Sequence, residues 1–121
     1  MSEHKRKALI LDSDPDALIT LQRALEDSGV DTTVTWDDTE ARNLIRNTRF
    51  DVTLIGDHPP EISAENTVRE FRRCGAFSPC LILRTTARVV SGEPLQQLGV
   101  VAVVPKRDPA RVLEEVQKAV T

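Results

Sequence analysis

Short apolar runs alternate with helical patterns five times along the chain, and this alternation most constrains the fold. The runs 8–11, 80–83 and 100–104 are continuously apolar, which is typical of strands buried on both faces of a sheet. The run 51–56 predicts another buried strand, and the alternating residues 30–36 predict a strand at an edge. No hairpin-sized turn joins consecutive strands, so we expect parallel strands with helical, right-handed crossovers.

Capping residues mark where the first and last helices begin. Asp14 and Pro15 predict the start of the first helix, and Gly29 follows its end. Asp108 and Pro109 predict the start of the last helix in the same way. The second and third helices follow from apolar positions at helical spacing, whereas the fourth has room for only about two turns.

The length of the chain fits one domain built on this pattern. Its 121 residues are enough to bury a core. At this size the strands and helices predict a doubly wound (βα)5 α/β fold, with a five-stranded parallel sheet of flavodoxin-like order 2-1-3-4-5. We expect a single domain over residues 1–121, with any site at the carboxyl ends of the strands.

Charge and hydropathy exclude several classes of partner. A net charge of −3 gives no electrostatic reason to expect nucleic-acid binding. The basic run 4–7 is interpreted as a solvated N-terminal segment. No apolar stretch approaches the roughly 20 residues that span a bilayer, and the first residues lack the apolar core of a secretory signal. A cytoplasmic location without membrane partners is therefore expected.

The cysteines and aromatic residues are expected to serve packing. Cys74 and Cys80 form no CxxC motif and are interpreted as small hydrophobes in a reducing compartment. Trp36 is predicted to pack at the edge of the sheet. The residues predicted for the core are Phe50, Phe71 and Phe77.

Charged and polar residues follow four of the five predicted strands, where this fold places a site. They are Asp12, Ser13 and Asp14 after the first strand, Gly56 and Asp57 after the third, Arg84 and Thr85 after the fourth, and Lys106 after the fifth.

This arrangement resembles the CheY-like receiver domain of two-component response regulators, over nearly the whole chain. Segment 11–18 is similar to the first acidic turn of receivers, and segment 29–41 follows their second strand and helix entry without a gap. Further residues that match the family's pattern are Phe50, Asp51 and Pro60 around the third strand, and Gly99 and Lys106 near the fifth.

The resemblance implies a phosphorylation site from which this chain departs. In receivers two carboxylates after the first strand and one after the third hold Mg²⁺, the third-strand aspartate accepts the phosphoryl group, and a hydroxyl and a lysine contact it. Asp12 and Lys106 match two of these positions. Ser13, Gly56 and Arg84 stand at the second acid, the acceptor and the hydroxyl. The chain is therefore predicted to be a degenerate receiver, or pseudo-receiver.

Two alternatives at the site stay open. Asp57 could accept a phosphoryl group if the strand slipped by one residue through a bulge, with Thr85 similarly displaced by one. Asp14 could compensate for Ser13 as a metal ligand, although helix capping also explains it. Asp12, Asp14 and Asp57 are thus the weak candidates for a metal site. No cofactor is expected. Mg²⁺ binding and autophosphorylation are expected only if the slipped register holds.

Arg84 could replace the missing metal. Its guanidinium is permanently charged and can bond a carboxylate with two donors, so it is predicted to pair near Asp12 and Asp57 and to lock the pocket in one state. The alternative is that its long side chain reaches solvent.

The resulting prediction is a protein-interaction module in two-component (phosphorelay) signal transduction that does not require phosphorylation and is not an enzyme. The resemblance implies a histidine kinase or output protein as partner, or a second copy, through the face of helix 4, strand 5 and helix 5. Val103 stands where many receivers carry an aromatic switch residue. A flavodoxin-like nucleotide or flavin binder is a third alternative, which no Gly-rich loop supports. Candidate interface residues are Gln96, Gln97, Arg111, Glu114 and Lys118, with Val89 and Val90 adding apolar area.

Overall fold

Strands and helices alternate through the whole described chain. A computed structural model describes residues 5–57, 63–84 and 92–120, and within these ranges it has five strands and five helices. In chain order they are β1 (Lys7–Leu11), α1 (Pro15–Asp27), β2 (Asp31–Thr35), α2 (Asp38–Asn47), β3 (Val52–Gly56), α3 (Ala64–Arg73), β4 (Cys80–Arg84), α4 (Gly92–Gln97), β5 (Val100–Pro105) and α5 (Pro109–Val120).

The strands form one parallel sheet in the order β2-β1-β3-β4-β5, which confirms the predicted topology. β2 and β5 are its edges, as the alternating pattern of β2 predicts. The pairing of β4 with β5 has one shift in register, between Cys80 and Leu81, where β5 contains an additional residue. Because all strands are parallel, their carboxyl ends meet at one edge of the sheet, and the first site residues follow there.

Several helices begin at a residue whose side chain caps the first turn. The Asp14 carboxylate accepts hydrogen bonds from the backbone of Asp16 and Ala17 at the start of α1. Asp37 caps α2 and Ser63 caps α3 in the same manner. These bonds satisfy backbone N–H groups that have no partner inside the helix. The predicted role of Asp14 as a helix cap is confirmed.

Two apolar layers cover the two faces of the sheet. One face packs against α1 and α5, and the other against α2, α3 and α4. β1 contributes Ala8 and Ile10 to the first layer and Leu9 and Leu11 to the second, since side chains alternate along a strand. Burial on both faces explains why the inner strands are continuously apolar.

Two aromatic predictions are wrong. Trp36 is 73% exposed and Phe77 is 76% exposed. Trp36 follows the end of an edge strand, where no neighbouring strand covers it, and Phe77 lies in the loop between α3 and β4, beyond the apolar layers. Phe50 and Phe71 are buried as predicted.

The cysteines are free thiols. Cys80 is buried, and Cys74 is only partly so. The Cys80 Sγ lies 2.8 Å from Thr53 Oγ1, and burial raises the pKa of the Cys80 thiol, so the neutral form is favoured. This agrees with a packing role for Cys80. Within the described residues no helix has the length and apolar character needed to cross a membrane.

Candidate functional site

The carboxyl ends of β1, β3, β4 and β5 bring most of the predicted site residues to one edge of the sheet. Asp12 follows β1, Asp57 follows β3, Arg84 ends β4 and Lys106 follows β5. Thr85, a candidate for a displaced hydroxyl, lies outside the described residues. Two ion pairs organise this edge, one between Asp12 and Lys106 and one between Asp57 and Arg84.

Asp12 and Lys106 form a buried ion pair. Their side chains are 0% and 1% exposed, and Lys106 Nζ donates to Asp12 Oδ1 at 3.2 Å and to Oδ2 at 3.4 Å. The backbone N–H of Asp14 donates to Asp12 Oδ1 at 2.9 Å, and the Asp14 carboxylate lies 3.7 Å from Lys106 Nζ. Burial of two charges is costly unless they are paired and hydrogen-bonded. Lys106 therefore points towards Asp12 and is not an exposed loop lysine.

Gly56 provides the space that the Asp12 carboxylate occupies. A Cβ added at residue 56 would collide with Oδ2 and Cγ of Asp12. Gly56 does not have a positive φ, so its backbone conformation does not require glycine. A side chain at residue 56 would require the buried carboxylate of Asp12, which directly follows the neighbouring strand β1, to move.

Asp57 pairs with Arg84. Asp57 Oδ2 lies 3.3 Å from Arg84 Nη2, and Oδ1 accepts a hydrogen bond from the backbone N–H of Ala64 at 3.1 Å. The Arg84 and Asp57 side chains are 14% and 17% exposed. The alternative that Arg84 extends into solvent is therefore wrong. Arg84 thus pairs with Asp57, one of the two carboxylates that the sequence analysis named for it.

The strand register around Asp57 is regular. β3 and β4 pair without a shift, with Gly56 opposite Leu83, and the Asp57 N–H donates to the Leu83 carbonyl at 3.0 Å. Asp57 therefore lies one residue beyond the end of β3, with no bulge in the described pairs of that strand. Phosphorylation of Asp57 stays a hypothesis, because these contacts describe its position and not its reactivity.

The three candidate metal ligands are not gathered into one group. Asp12 faces Lys106, Asp57 faces Arg84, and Asp14 caps α1. Ser13 is exposed. In the described part of the chain, no three histidine, cysteine or acidic side chains lie close enough together to hold a metal ion.

The predicted interface residues are exposed on α4 and α5. Gln96, Gln97, Arg111, Glu114 and Lys118 all lie on the surface, and Lys118 pairs with Glu114 at 3.3 Å. The edge strand β5 adds two exposed apolar side chains, Val101 at 55% and Val103 at 39%. The sequence did not predict the exposure of Val101, because the run 100–104 has the pattern of a fully buried strand. Val89 and Val90 lie outside the described residues.

Solved structures share this architecture. The chemotaxis protein CheY4 of Vibrio cholerae superposes with a TM-score of 0.85 at 22% identity, covering 96% of this chain and 99% of that one. The receiver domain of the Francisella response regulator 1452 superposes with a TM-score of 0.83 at 24% identity, covering 96% and 97%. The chain therefore has the CheY-like, flavodoxin-like fold.

Sequence comparison adds one relative of the same kind. A response regulator receiver protein of Anaeromyxobacter sp. (strain Fw109-5) is 29% identical over 101 residues, which are 84% of this chain and 42% of the relative. The chain thus spans less than half the length of that relative. No protein-family model matches the chain. The predicted resemblance is confirmed: the fold is that of CheY-like receiver domains, and the sequence relative is a response regulator receiver protein.

Substitution of Gly56 tests whether the Asp12 carboxylate fills the space beside residue 56. Gly56→Ala should cost about 1–3 kcal/mol, because the new methyl group displaces a carboxylate that is held by Lys106. In an Asp12→Ala/Lys106→Met background the same substitution should be neutral or stabilising, because alanine is favoured over glycine in a strand. Urea unfolding of the wild type, of Gly56→Ala, of the double variant and of the triple variant gives the cost of Gly56→Ala in both backgrounds. An equal cost in the two backgrounds would contradict this packing.

Removal of Arg84 tests the second ion pair. Arg84→Ala should destabilise the domain by about 1–3 kcal/mol, because it leaves the Asp57 carboxylate largely desolvated without its cation. The matched control is Arg73→Ala, which breaks the exposed pair with Glu70 and should cost within about 1 kcal/mol. Far-ultraviolet circular dichroism is the suitable signal, since Trp36 is already exposed in the folded state. Equal losses for the two variants would show that Arg84 contributes no more than a surface pair.

Proposed function

We propose that this chain is an atypical receiver in two-component signal transduction, and that it binds partner proteins without phosphorylation of an aspartate. The observation that carries the proposal is the occupied pocket. The position of the acceptor side chain is filled by Asp12, and Lys106 and Arg84 already neutralise the two carboxylates nearest to it. A pocket that contains its own counter-charges has one stable arrangement, instead of one arrangement for the unphosphorylated state and another for the phosphorylated state.

Transfer of a phosphoryl group needs an accessible carboxylate oxygen and stabilisation of the transferred charge. Gly56 supplies no oxygen. Both oxygens of Asp57 are engaged, one by Arg84 and the other by the N–H of Ala64 at the start of α3. An attack by Asp57 would have to compete with these contacts for the charge of its oxygens. The geometry thus supports a domain that is not an enzyme.

The residues present also do not fit a bound Mg²⁺. The ion requires several oxygen ligands, typically carboxylates and water. Here Lys106 Nζ lies within 3.4 Å of both Asp12 oxygens, so a metal bound by Asp12 would have to displace a buried ammonium group. Arg84 adds a second fixed positive charge beside Asp57. We therefore propose that Lys106 and Arg84 take the electrostatic role that a metal has in a phosphorylated receiver, and that no cofactor is used.

The proposed partner surface is the face of α4, β5 and α5. It combines the exposed apolar side chains Val101 and Val103 with the polar residues of the neighbouring helices. Such a mixture of an apolar centre and a polar rim is common in interfaces that form and dissociate. A histidine kinase, an output protein or a second copy of the chain are the partners we propose for it.

Asp57 phosphorylation remains a second candidate function. One observation favours it: Asp57 directly follows β3 and its side chain retains 17% exposure, so a small phosphodonor can approach. This alternative requires that Arg84 release the carboxylate during the reaction.

Incubation with acetyl phosphate and Mg²⁺, followed by intact mass measurement, separates the two candidates. We expect no lasting mass increase and no saturable response to Mg²⁺ in the millimolar range, because Arg84 and the Ala64 N–H engage the Asp57 oxygens and the described residues contain no cluster that could hold a metal ion. Asp57→Asn provides the control. A phosphoryl adduct that forms on the wild type and is absent from Asp57→Asn would establish the second candidate and reject the first.

A further inference from the structure

A groove at the amino edge of the sheet combines free cations with an exposed aromatic side chain. It lies between the loop that precedes β3 and the loop that precedes β4, and its volume is about 610 Å³. Its lining includes Arg46, Arg49, Asp51 and Phe77. The pocket described above lies at the opposite, carboxyl edge, about 16 Å away along five-residue strands. The groove is therefore separate from the degenerate phosphorylation site.

The charges around this groove are predominantly positive. The carboxylate of Asp51 is already engaged, because it accepts a hydrogen bond from the Lys7 N–H at 2.8 Å and lies 3.9 Å from a guanidinium nitrogen of Arg6. Arg46 and Arg49 are exposed and form no ion pair with any other residue in the ranges 5–57, 63–84 and 92–120. The groove is thus lined by two arginines, and its one acidic side chain is already engaged by Arg6 and by the backbone of Lys7. The positive charge of the groove is opposite in sign to the net charge of −3 of the whole chain.

Phe77 supplies an apolar contact beside these cations. Its side chain is 76% exposed, the most exposed large hydrophobic residue among those described. Covering a phenyl group with another apolar surface is favourable, and aromatic side chains are frequent anchors at protein interfaces. Arginine and aromatic residues are also the types most enriched where partners bind.

We propose that this groove binds an acidic segment of a partner protein. Carboxylates of the segment would pair with Arg46 and Arg49, and an apolar side chain of the segment would cover Phe77. Guanidinium groups suit this partner because they can bond carboxylates through two parallel donors. A polynucleotide is a poorer match, because the negative charge of the whole chain repels a long polyanion and the groove offers few phosphate contacts.

The test uses a short synthetic peptide and the ¹⁵N-labelled chain. The probe is an acetylated, amidated peptide of sequence Glu-Asp-Phe-Leu-Glu-Asp, compared with a peptide in which lysine replaces each acid. We expect the acidic peptide to shift amide resonances of residues 45–51 and 75–78 with a Kd on the order of 1 mM. The lysine peptide should leave these resonances unchanged.

Charge reversal locates the binding site. Arg46→Glu/Arg49→Glu should weaken binding of the acidic peptide about tenfold, the sum of two exposed ion pairs and the added repulsion. Phe77→Ser should weaken it several-fold. Matched controls lie on α1, across the sheet, where Arg23 and Ile19 are also exposed and Arg23 has no ion pair with a described residue. Arg23→Glu and Ile19→Ser should have no effect. Arg49→Gln gives a milder test if the double variant unfolds.

Several outcomes would overturn the proposal. One is the absence of saturable shifts at 10-fold above the expected Kd, and another is equal binding by the groove variants and the α1 controls. Tighter binding of a deoxythymidine decamer or of anionic lipid vesicles to the same residues would assign the groove to those ligands instead. Self-association in sedimentation experiments that is lost in Arg46→Glu/Arg49→Glu would assign it to a second copy. None of these outcomes bears on the phosphodonor experiment, since the two sites lie at opposite edges of the sheet.

Discussion

The buried ion pair between Asp12 and Lys106 is the interaction on which the pocket depends. Neither side chain reaches solvent, so each charge is stabilised almost entirely by the other and by hydrogen bonds from the protein. Removing one partner of such a pair typically costs about 3–5 kcal/mol, because the remaining charge stays buried. The pair holds the Asp12 carboxylate where a Cβ added at residue 56 would collide with it. The absence of a side chain at residue 56 is thus part of the packing around Asp12.

Much of the fold could be predicted from local sequence patterns, because burial on both faces of a parallel sheet requires continuous apolar strands. Helix starts could be predicted as well, since Asp14 caps α1 through its own backbone neighbours. The failures have a common cause. Whether Trp36 or Phe77 is covered depends on how far each residue lies beyond the two apolar layers, and residue type does not encode this distance. The exposure of Val101 likewise follows from a shift in register between β4 and β5.

For the site too, the positions of residues along the chain could be predicted from the sequence, whereas contacts between residues on different strands could not. The positions of Asp12, Asp57, Arg84 and Lys106 after predicted strands indicated that they lie at one edge of the sheet, which the structure confirms. The resemblance to receivers predicted which groups of the family's site are absent. Neither the sequence nor the resemblance could show that Asp12 fills the space beside Gly56, because that contact depends on side-chain positions across two strands. The sequence also left open which carboxylate Arg84 would pair with. The ion pair with Asp57 follows from the adjacency of β3 and β4 in the sheet. The result is a receiver-like scaffold, retained at 22% identity to a chemotaxis protein, with a pocket that contains its own cations.

The central claim is that this pocket holds one state, and amide NMR spectra in the presence of Mg²⁺ and fluoroberyllate test it most directly. Fluoroberyllate is an analogue of the phosphoryl group that binds to an aspartate only when an acceptor oxygen and a metal site are available. The account predicts that the resonances of Asp57, Arg84 and Lys106 and those of β5 keep their positions as both reagents are added. Saturable shifts that begin at Asp57 and extend to Val101 and Val103 would contradict it, because they would show a pocket that binds the analogue and passes the change to the partner surface.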